Sequence, residues 1–279
     1  AGQRGPWGVA ITATTSSTQI GDGDGGGPAS VLEPRAIVAR LAIAWSLPGD
    51  DHVVGVALRI GSFALVRPDP AGDQQLFGIS GGSLEAGWVW RPYLSDLRVG
   101  VAGALPIAGR SVDVSGCDPL DCGGRILPER VVAPWELAAG VAWRRAGTRW
   151  NQPIGGDWRD EGSLLLEADV VVSGAVPDGH TLEGFAAGAL QPSGRRTVVS
   201  PRAGAELEWI PGWLRLRGGS YWEPARAAGA SGRLHGTLGL ELRLFSFPFW
   251  GDRYRVRLSL TGDAARRYGN AGVSIGFWH

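Results

Sequence analysis

Few side chains in this sequence are of a type that does chemistry at neutral pH, and their spacing decides what chemistry is open to them. The imidazoles are His52, His180, His235 and His279. His235 alternates with Thr237 and Glu241, so a strand would carry all three on one polar face. A histidine in that setting is a lining residue satisfied by neighbouring charges rather than a general base. Glu206 and Glu208 are spaced like an acid/base pair on one strand face, yet Arg215 and Arg217 follow at hairpin distance and make ion pairing the better account. No Gly-x-Ser-x-Gly elbow for a nucleophile occurs. The run Gly21-Asp22-Gly23-Asp24-Gly25-Gly26-Gly27 has two carboxylates and lacks the bidentate Glu of a calcium loop, so it reads as a flexible acidic loop. Cys117 and Cys122 lie in Gly116-Cys117-Asp118-Pro119-Leu120-Asp121-Cys122-Gly123, which predicts a local disulfide made in an oxidising compartment. The expectation is no enzyme, no cofactor and no metal.

The elements that would position these residues are strands. Ile37, Leu41, Ile43 and Trp45 alternate against Arg40. Leu164, Leu166, Ala168, Val170 and Val172 alternate against Glu167 and Asp169, and Leu238, Leu240, Leu242 and Leu244 against Thr237, Gly239, Glu241 and Arg243. This period of two marks half-buried strands, and no long stretch has helical periodicity. About twelve such segments can be drawn: 6–16, 35–47, 52–66, 83–92, 96–107, 131–145, 162–175, 197–209, 213–223, 233–245, 252–263 and 269–278. They exceed the usual strand of about five or six residues and match the roughly nine to eleven that cross a bilayer at a tilt.

Connections alternate in length. Long polar links at 17–34, 67–82, 108–130, 176–196 and 224–232 follow the odd segments, and short ones such as Pro48-Gly49-Asp50-Asp51 and Ile210-Pro211-Gly212 follow the even ones. Residues 146–161 and 264–268 break the pattern. Long loops at one end and tight turns at the other are the habit of outer-membrane barrels.

The 13 tryptophans sharpen this reading, because they are too many for an ordinary core. Trp7, Trp45, Trp88, Trp90, Trp143, Trp209, Trp213, Trp250, Phe277 and Trp278 all fall near the end with the short turns, as a membrane-interface girdle would. Trp135 and Trp222 fall near the other end. The opposite face of the strands carries the lumen candidates Arg40, Arg59, Glu85, Arg98, Glu136, Glu167, Asp169, Arg202, Glu206, Glu208, Arg215, Arg217, His235, Glu241, Arg243, Arg255, Arg257 and Asp263. Every cationic side chain other than histidine is Arg, which suits crowded ion pairs better than Lys. With a turn at Pro211-Gly212, Trp209 opposes Leu214 and Leu207 opposes Leu216 on one face, while Glu208 meets Arg215 and Glu206 meets Arg217 on the other.

No run of about eighteen apolar residues exists to form a spanning helix, so a membrane form must be a closed barrel that satisfies every backbone group internally. The predicted fold is all-β: one closed antiparallel up-and-down transmembrane β-barrel of about twelve strands over residues 1–279. Zero net charge excludes a nucleic-acid partner. The lack of Met and the start at Ala1 point to a removed secretory signal, and hence to a bacterial outer membrane with long loops extracellular and termini periplasmic. Expected partners are outer-membrane lipid, with lipopolysaccharide, small solutes or other envelope proteins as candidates.

The ending Asn270 to His279, with Ala271, Val273, Ile275 and Phe277 on one face, resembles the C-terminal assembly signal of outer-membrane proteins, although Trp278 and His279 follow the aromatic. The segment from Pro211 to Pro224, with Leu214-Arg215-Leu216-Arg217-Gly218-Gly219-Ser220-Tyr221-Trp222-Glu223, resembles a late strand of the FadL-type transporters of fatty acids and hydrocarbons. That resemblance implies passive diffusion of small or hydrophobic solutes, with a lateral opening in the wall as one route. The family's N-terminal plug with its Asn-Pro-Ala segment has no counterpart here, and about twelve strands stand against the family's fourteen. The competing expectation is a structural barrel whose lumen is plugged by its own charge network and whose loops dock partners.

Overall fold

A computed structural model of the chain describes residues 2–4, 6–17, 20–21, 31–69, 72–113, 130–152, 158–176, 193–226, 231–249, 252–266 and 268–278. The strands are β1 (Gly2–Arg4), β2 (Trp7–Ser17), β3 (Ile20–Gly21), β4 (Val31–Ser46), β5 (His52–Arg67), β6 (Gln74–Trp90), β7 (Leu97–Ala104) and β8 (Ile107–Asp113). They continue as β9 (Arg130–Ala133), β10 (Glu136–Ala146), β11 (Ser163–Ser173), β12 (Val198–Ile210), β13 (Leu214–Glu223), β14 (Arg233–Phe249), β15 (Asp252–Ala265) and β16 (Tyr268–Trp278). All the ladders are antiparallel, and one sheet runs in the order β1-β2-β4-β5-β6-β7-β10-β11-β12-β13-β14-β15-β16. Leaving out the three-residue β1, twelve strands follow one another up and down, each beside its chain neighbour. Each of the twelve expected segments falls on one of them.

Burial is inverted relative to a soluble protein. Glu208, Glu241 and His235 are 1–2% exposed, whereas Ile11, Leu238, Val273 and Ile275 are 72–78% exposed. One face of the sheet is therefore enclosed and charged, and the other is open and apolar. Water would penalise that much exposed hydrocarbon, and lipid would not. Parity along the strands causes the inversion: on β5 Val56, Leu58 and Ile60 point outward while Ala57 and Arg59 point inward.

The expected β-hairpin register is present with one local change. Glu206 pairs with Arg217, Leu207 with Leu216 and Glu208 with Arg215. A bulge between Glu208 and Ile210 then sets Ile210, rather than Trp209, opposite Leu214. The turn Pro211–Trp213 is wider than a two-residue hairpin, with Gly212 at φ +76°, and the extra length is absorbed by the bulge.

Three features depart from the expected outline. β6 extends outward to Gln74, through residues expected to be loop, because Gly78-Ile79-Ser80-Gly81-Gly82 pairs as a strand without carrying the bulky alternation of one. The link after β7 contains β8 and β9, a hairpin of its own. Among the described residues no ladder joins β16 to β1 or β2; β1 folds back on Trp7, Gly8 and Val9, part of the edge that β16 would use.

Candidate functional site

The enclosed face has two contrasting walls. On one, Ala44, Gly55, Gly87, Ala102 and Ala138 form a continuous cross-strand row over β4, β5, β6, β7 and β10. On the other, Ser163, Glu208, Arg215, Glu241 and Ser259 form a row over β11 to β15. A smooth wall of small residues thus faces a wall of ion pairs.

The charged wall is one network. Glu206 receives the Arg217 Nε–H at 2.6 Å, and Arg217 also donates to Glu241 at 2.9 Å. Glu208 accepts from Arg215 and Arg243, each at 2.9 Å, and from the Gly212 amide at 2.8 Å. Arg257 reaches Glu241 at 3.7 Å. Glu208 and Glu241 are buried and Glu206 half-buried, and all three are multiply paired, which is the condition under which buried charge is tolerated.

The remaining candidates fall outside this network. Arg40 and Arg59 share Glu85, at 3.3 and 3.6 Å, and the Arg59 Nε and one of its terminal nitrogens have no hydrogen-bond partner among the described residues. Arg202 lies 3.9 Å from Asp169, and Ser173 donates to Glu136. Glu167 lies beside Gly204. His235 sits between two carboxylates, Asp263 at 2.8 Å and Glu223 at 2.9 Å, stacked on Tyr221, whose hydroxyl donates to Asp263. Glu223, Tyr221 and Tyr268 complete that cluster. Among the described residues no group of three or more His, Cys, Asp or Glu could hold a metal ion.

The aromatic candidates sit at the turn end of their strands. Trp7 and Trp45 are cross-strand partners with ring centroids 5.3 Å apart, and Trp88, Trp143, Trp209 and Trp213 are exposed on the apolar face. Trp90 lies opposite His52 and Val99. Cys117, Cys122, His180, Trp250 and His279 lie outside the described residues, as do the side chains of Phe277 and Trp278.

Near the loop end the enclosed face becomes apolar. Leu65, Phe77, Ile79 and Ile107 are buried, and Phe63 packs edge-on to Phe77 with centroids 6.1 Å apart. Here β7 leaves the sheet at Leu105-Pro106, because proline cannot donate to a ladder. The chain resumes as β8 laid over the inner face of β5 and β6. A Cβ on Gly81 would meet the Ala108 carbonyl at 2.7 Å, and one on Gly61 would meet Ile107 at 3.0 Å. Glycine at the paired positions 61 and 81 makes room for this crossing. The Leu105 amide still reaches the Leu84 carbonyl at 2.9 Å, and from Ser83 to Ser80 β6 has no ladder on its β7 side among the described residues.

The turn end holds the residues that sequence reasoning missed. The link between β10 and β11, one of the two that broke the length rule, is pinned to the wall at both of its described limbs. Asn151 accepts from Arg98 Nε at 2.8 Å and donates to the Pro92 and Leu97 carbonyls, and the Trp150 ring lies 3.9 Å from the Arg98 guanidinium. At its other limb Asp160 pairs with Arg255 at 2.7 and 2.8 Å and with Arg243 at 3.1 Å, while Trp158 lies under Arg255. β7 and β15 are six places apart in a twelve-strand order, so the two described limbs of this link, residues 147–152 and 158–161, are fixed to opposite walls at the turn end, and the link is called the strap below. Arg144 and Thr148 both hold Glu161. The available signal was the length of this link together with its two tryptophans, an apolar load that a solvent loop does not need.

A sheet whose charged face is enclosed and whose apolar face is open has the architecture of an outer-membrane β-barrel. Within that class the chain is similar in fold to FadL-type channels. No family model matches the sequence, and no curated protein does. A monoaromatic hydrocarbon channel, CymD, aligns over 99% of this chain and 78% of its own at 11% identity and a TM-score of 0.50. A FadL homologue of Pseudomonas aeruginosa aligns over 94% of this chain and 67% of its own at 11% identity and a TM-score of 0.52. An outer membrane channel from Pseudomonas putida F1 aligns over 99% and 93% at 13% identity and a TM-score of 0.50.

Proposed function

We propose that this protein is a passive outer-membrane channel for small hydrophobic compounds, which enter from the long-loop side and leave sideways into the membrane beside β6. The observation that carries this reading is the apolar cluster of Phe63, Leu65, Phe77, Ile79 and Ile107 on an inner face otherwise made of small residues and ion pairs, next to the stretch where β7 has left the wall. An apolar solute is stabilised there by burial, and the small-residue row offers it a smooth wall. The limbs of the strap pinned across the turn end disfavour the axial route, and the ladderless stretch beside β6, next to the apolar cluster, serves as a lateral exit. The likeness to hydrocarbon and FadL-type channels supports the same class of cargo. Long loops extracellular and termini periplasmic follow from the usual polarity of such barrels.

Uptake of a monoaromatic hydrocarbon into proteoliposomes tests this directly. The expected result is uptake faster than in protein-free vesicles, together with small ionic conductance in a planar bilayer. Uptake equal to that of empty vesicles would overturn the proposal.

The strap also favours a second reading, a structural barrel that transports nothing. Silence in both assays, with co-purification of an envelope protein, is its signature.

A further inference from the structure

Behind the strap lies a cavity of about 1000 Å³, and eight of the residues lining it are arginines against four aspartates or glutamates. Carboxylates set further back offset much of that excess. Glu208, Glu161 and Asp160 hold Arg215, Arg144, Arg243 and Arg255. Arg91 lies 3.9 Å from Asp50 and Arg257 3.7 Å from Glu241, which leaves two lining arginines. Arg98 and Arg159 have no carboxylate within 4 Å among the described residues.

Arg98 is fixed but not neutralised. Its Nε donates to Asn151 and its plane rests on Trp150, so both terminal nitrogens are held in one orientation without a partner among the described residues. The charges that act on it are those of Arg91, Arg159 and Arg144, all of like sign. Among the described residues Arg159 is hydrogen-bonded to neutral acceptors of the strap alone, the Thr148 hydroxyl and the carbonyls of Arg149 and Gln152. A desolvated cation among cations is costly, and a planar guanidinium with its fork free is suited to a two-oxygen acceptor.

We propose that this vestibule is a binding site for a small oxyanion, a carboxylate or a phosphate, held by the Arg98 fork with Arg159 as the second cation. The anion ties the strap to β7, because Arg159 belongs to the strap and Arg98 to the wall. This site lies at the opposite end from the apolar cluster, and its occupancy requires no transport.

The test is calorimetric titration of the refolded full chain in detergent, in phosphate-free buffer at constant ionic strength. Inorganic phosphate and sodium benzoate are the two probes, with chloride as the reference. Saturable binding of either probe supports the site, and the probe that binds more tightly identifies the tetrahedral or planar class. Arg98→Gln and Arg159→Gln are each expected to weaken binding by about tenfold or more, the scale of one charge-assisted hydrogen bond. Arg145→Gln, which removes an exposed charge from the outer face, leaves binding unchanged. Unaltered heat-modifiability of each variant shows that the barrel is folded; where Arg98→Gln does not refold, Arg159→Gln decides. No saturable binding of either probe, or equal binding by the folded variants, overturns the proposal. Hydrocarbon uptake is unaffected by that outcome, so failure here is distinct from failure of the channel reading.

Discussion

Asp160 and Arg255 lie 95 residues apart in the chain and are joined by two hydrogen bonds, at 2.7 and 2.8 Å. Arg255 belongs to the wall strand β15 and Asp160 to the strap rooted between β10 and β11. This pair is therefore the far anchor that fixes a long link to the opposite wall. Asp160 is partly exposed, so solvent screening limits what the pair contributes. Asp160→Asn is expected to raise strap opening several-fold, on the scale of about 1 kcal/mol for a partly exposed pair. Single-channel recordings should show larger or more frequent current steps, and trypsin should cut faster after Arg149 and Arg159. Unchanged recordings and cleavage would mean that the strap does not close the mouth.

Acidification should release the same strap. The Arg255 hydrogen bond holds the Asp160 carboxyl below its ordinary 3.8. Burial pushes Asp96 and Glu161 upward, but hydrogen bonds from the Trp150 amide and Arg149, and from Thr148 and Arg144, outweigh it and leave both below their ordinary values of 3.8 and 4.5. A carboxyl lowered in the folded state contributes its full stabilisation above the ordinary value and loses it as pH falls through the lowered one. The strap is then expected to stay shut from neutral pH down to the ordinary carboxylate range and to open below it. Conductance measured in steps below pH 4.5 checks this; opening near pH 6 would point to histidine instead.

The strand plan was legible because parity alone dictates it. A residue row that alternates Leu with Glu has one stable orientation once one face is lipid and the other enclosed. The Glu206–Arg217 pairing was legible for the same reason, since one register satisfies both faces. The strap was not legible, because nothing local says that Asn151 and Asp160 reach opposite walls; that depends on how the sheet curls. The outer half of β6 was hidden because its glycines serve the β8 crossing instead of displaying alternation. Trp209 slipped out of register because the width of the Pro211 turn depends on a bulge.

The β8 crossing should be sensitive to a single methyl group. Gly81→Ala puts a Cβ 2.7 Å from the Ala108 carbonyl and 3.1 Å from Ile107, and backbone cannot yield cheaply. The expected cost is about 1–3 kcal/mol of stability, with β8 displaced from the inner face and hydrocarbon uptake altered. Gly82→Ala, whose Cβ would meet only ordinary contact at 3.5 Å on the other face, is the matched control. Equal denaturation midpoints for the two variants would rule out the close crossing.

Removing Glu208 should be the most damaging change on the charged wall. Its side chain is 1% exposed and is shared by Arg215, Arg243 and the Gly212 amide. Glu208→Ala leaves the buried turn amide without its acceptor and takes one carboxylate from each of two arginines, of which Arg215 keeps Glu206 and Arg243 keeps Asp160, at a cost of about 1–3 kcal/mol. Urea unfolding in lipid vesicles measures it, with Glu167→Ala, which is exposed, expected to cost far less.

The outward face gives the sharpest separation between a membrane barrel and a soluble one. Leu41, Leu58 and Leu84 form a cross-strand row near mid-strand and are 45–58% exposed. In water, exchanging one such exposed leucine for a charged residue changes stability by about 0.5 kcal/mol or less. At the midplane of a bilayer an arginine in the same place costs about 2–4 kcal/mol, because the guanidinium must leave water and finds no partner in hydrocarbon. Leu58→Arg should therefore lower folding stability in vesicles by that amount, while Val54→Arg, on the same face at the turn end of the strand, costs much less. The contrast depends on depth, which a soluble sheet has no means of producing. Equal costs at the two positions would show that this face does not contact lipid.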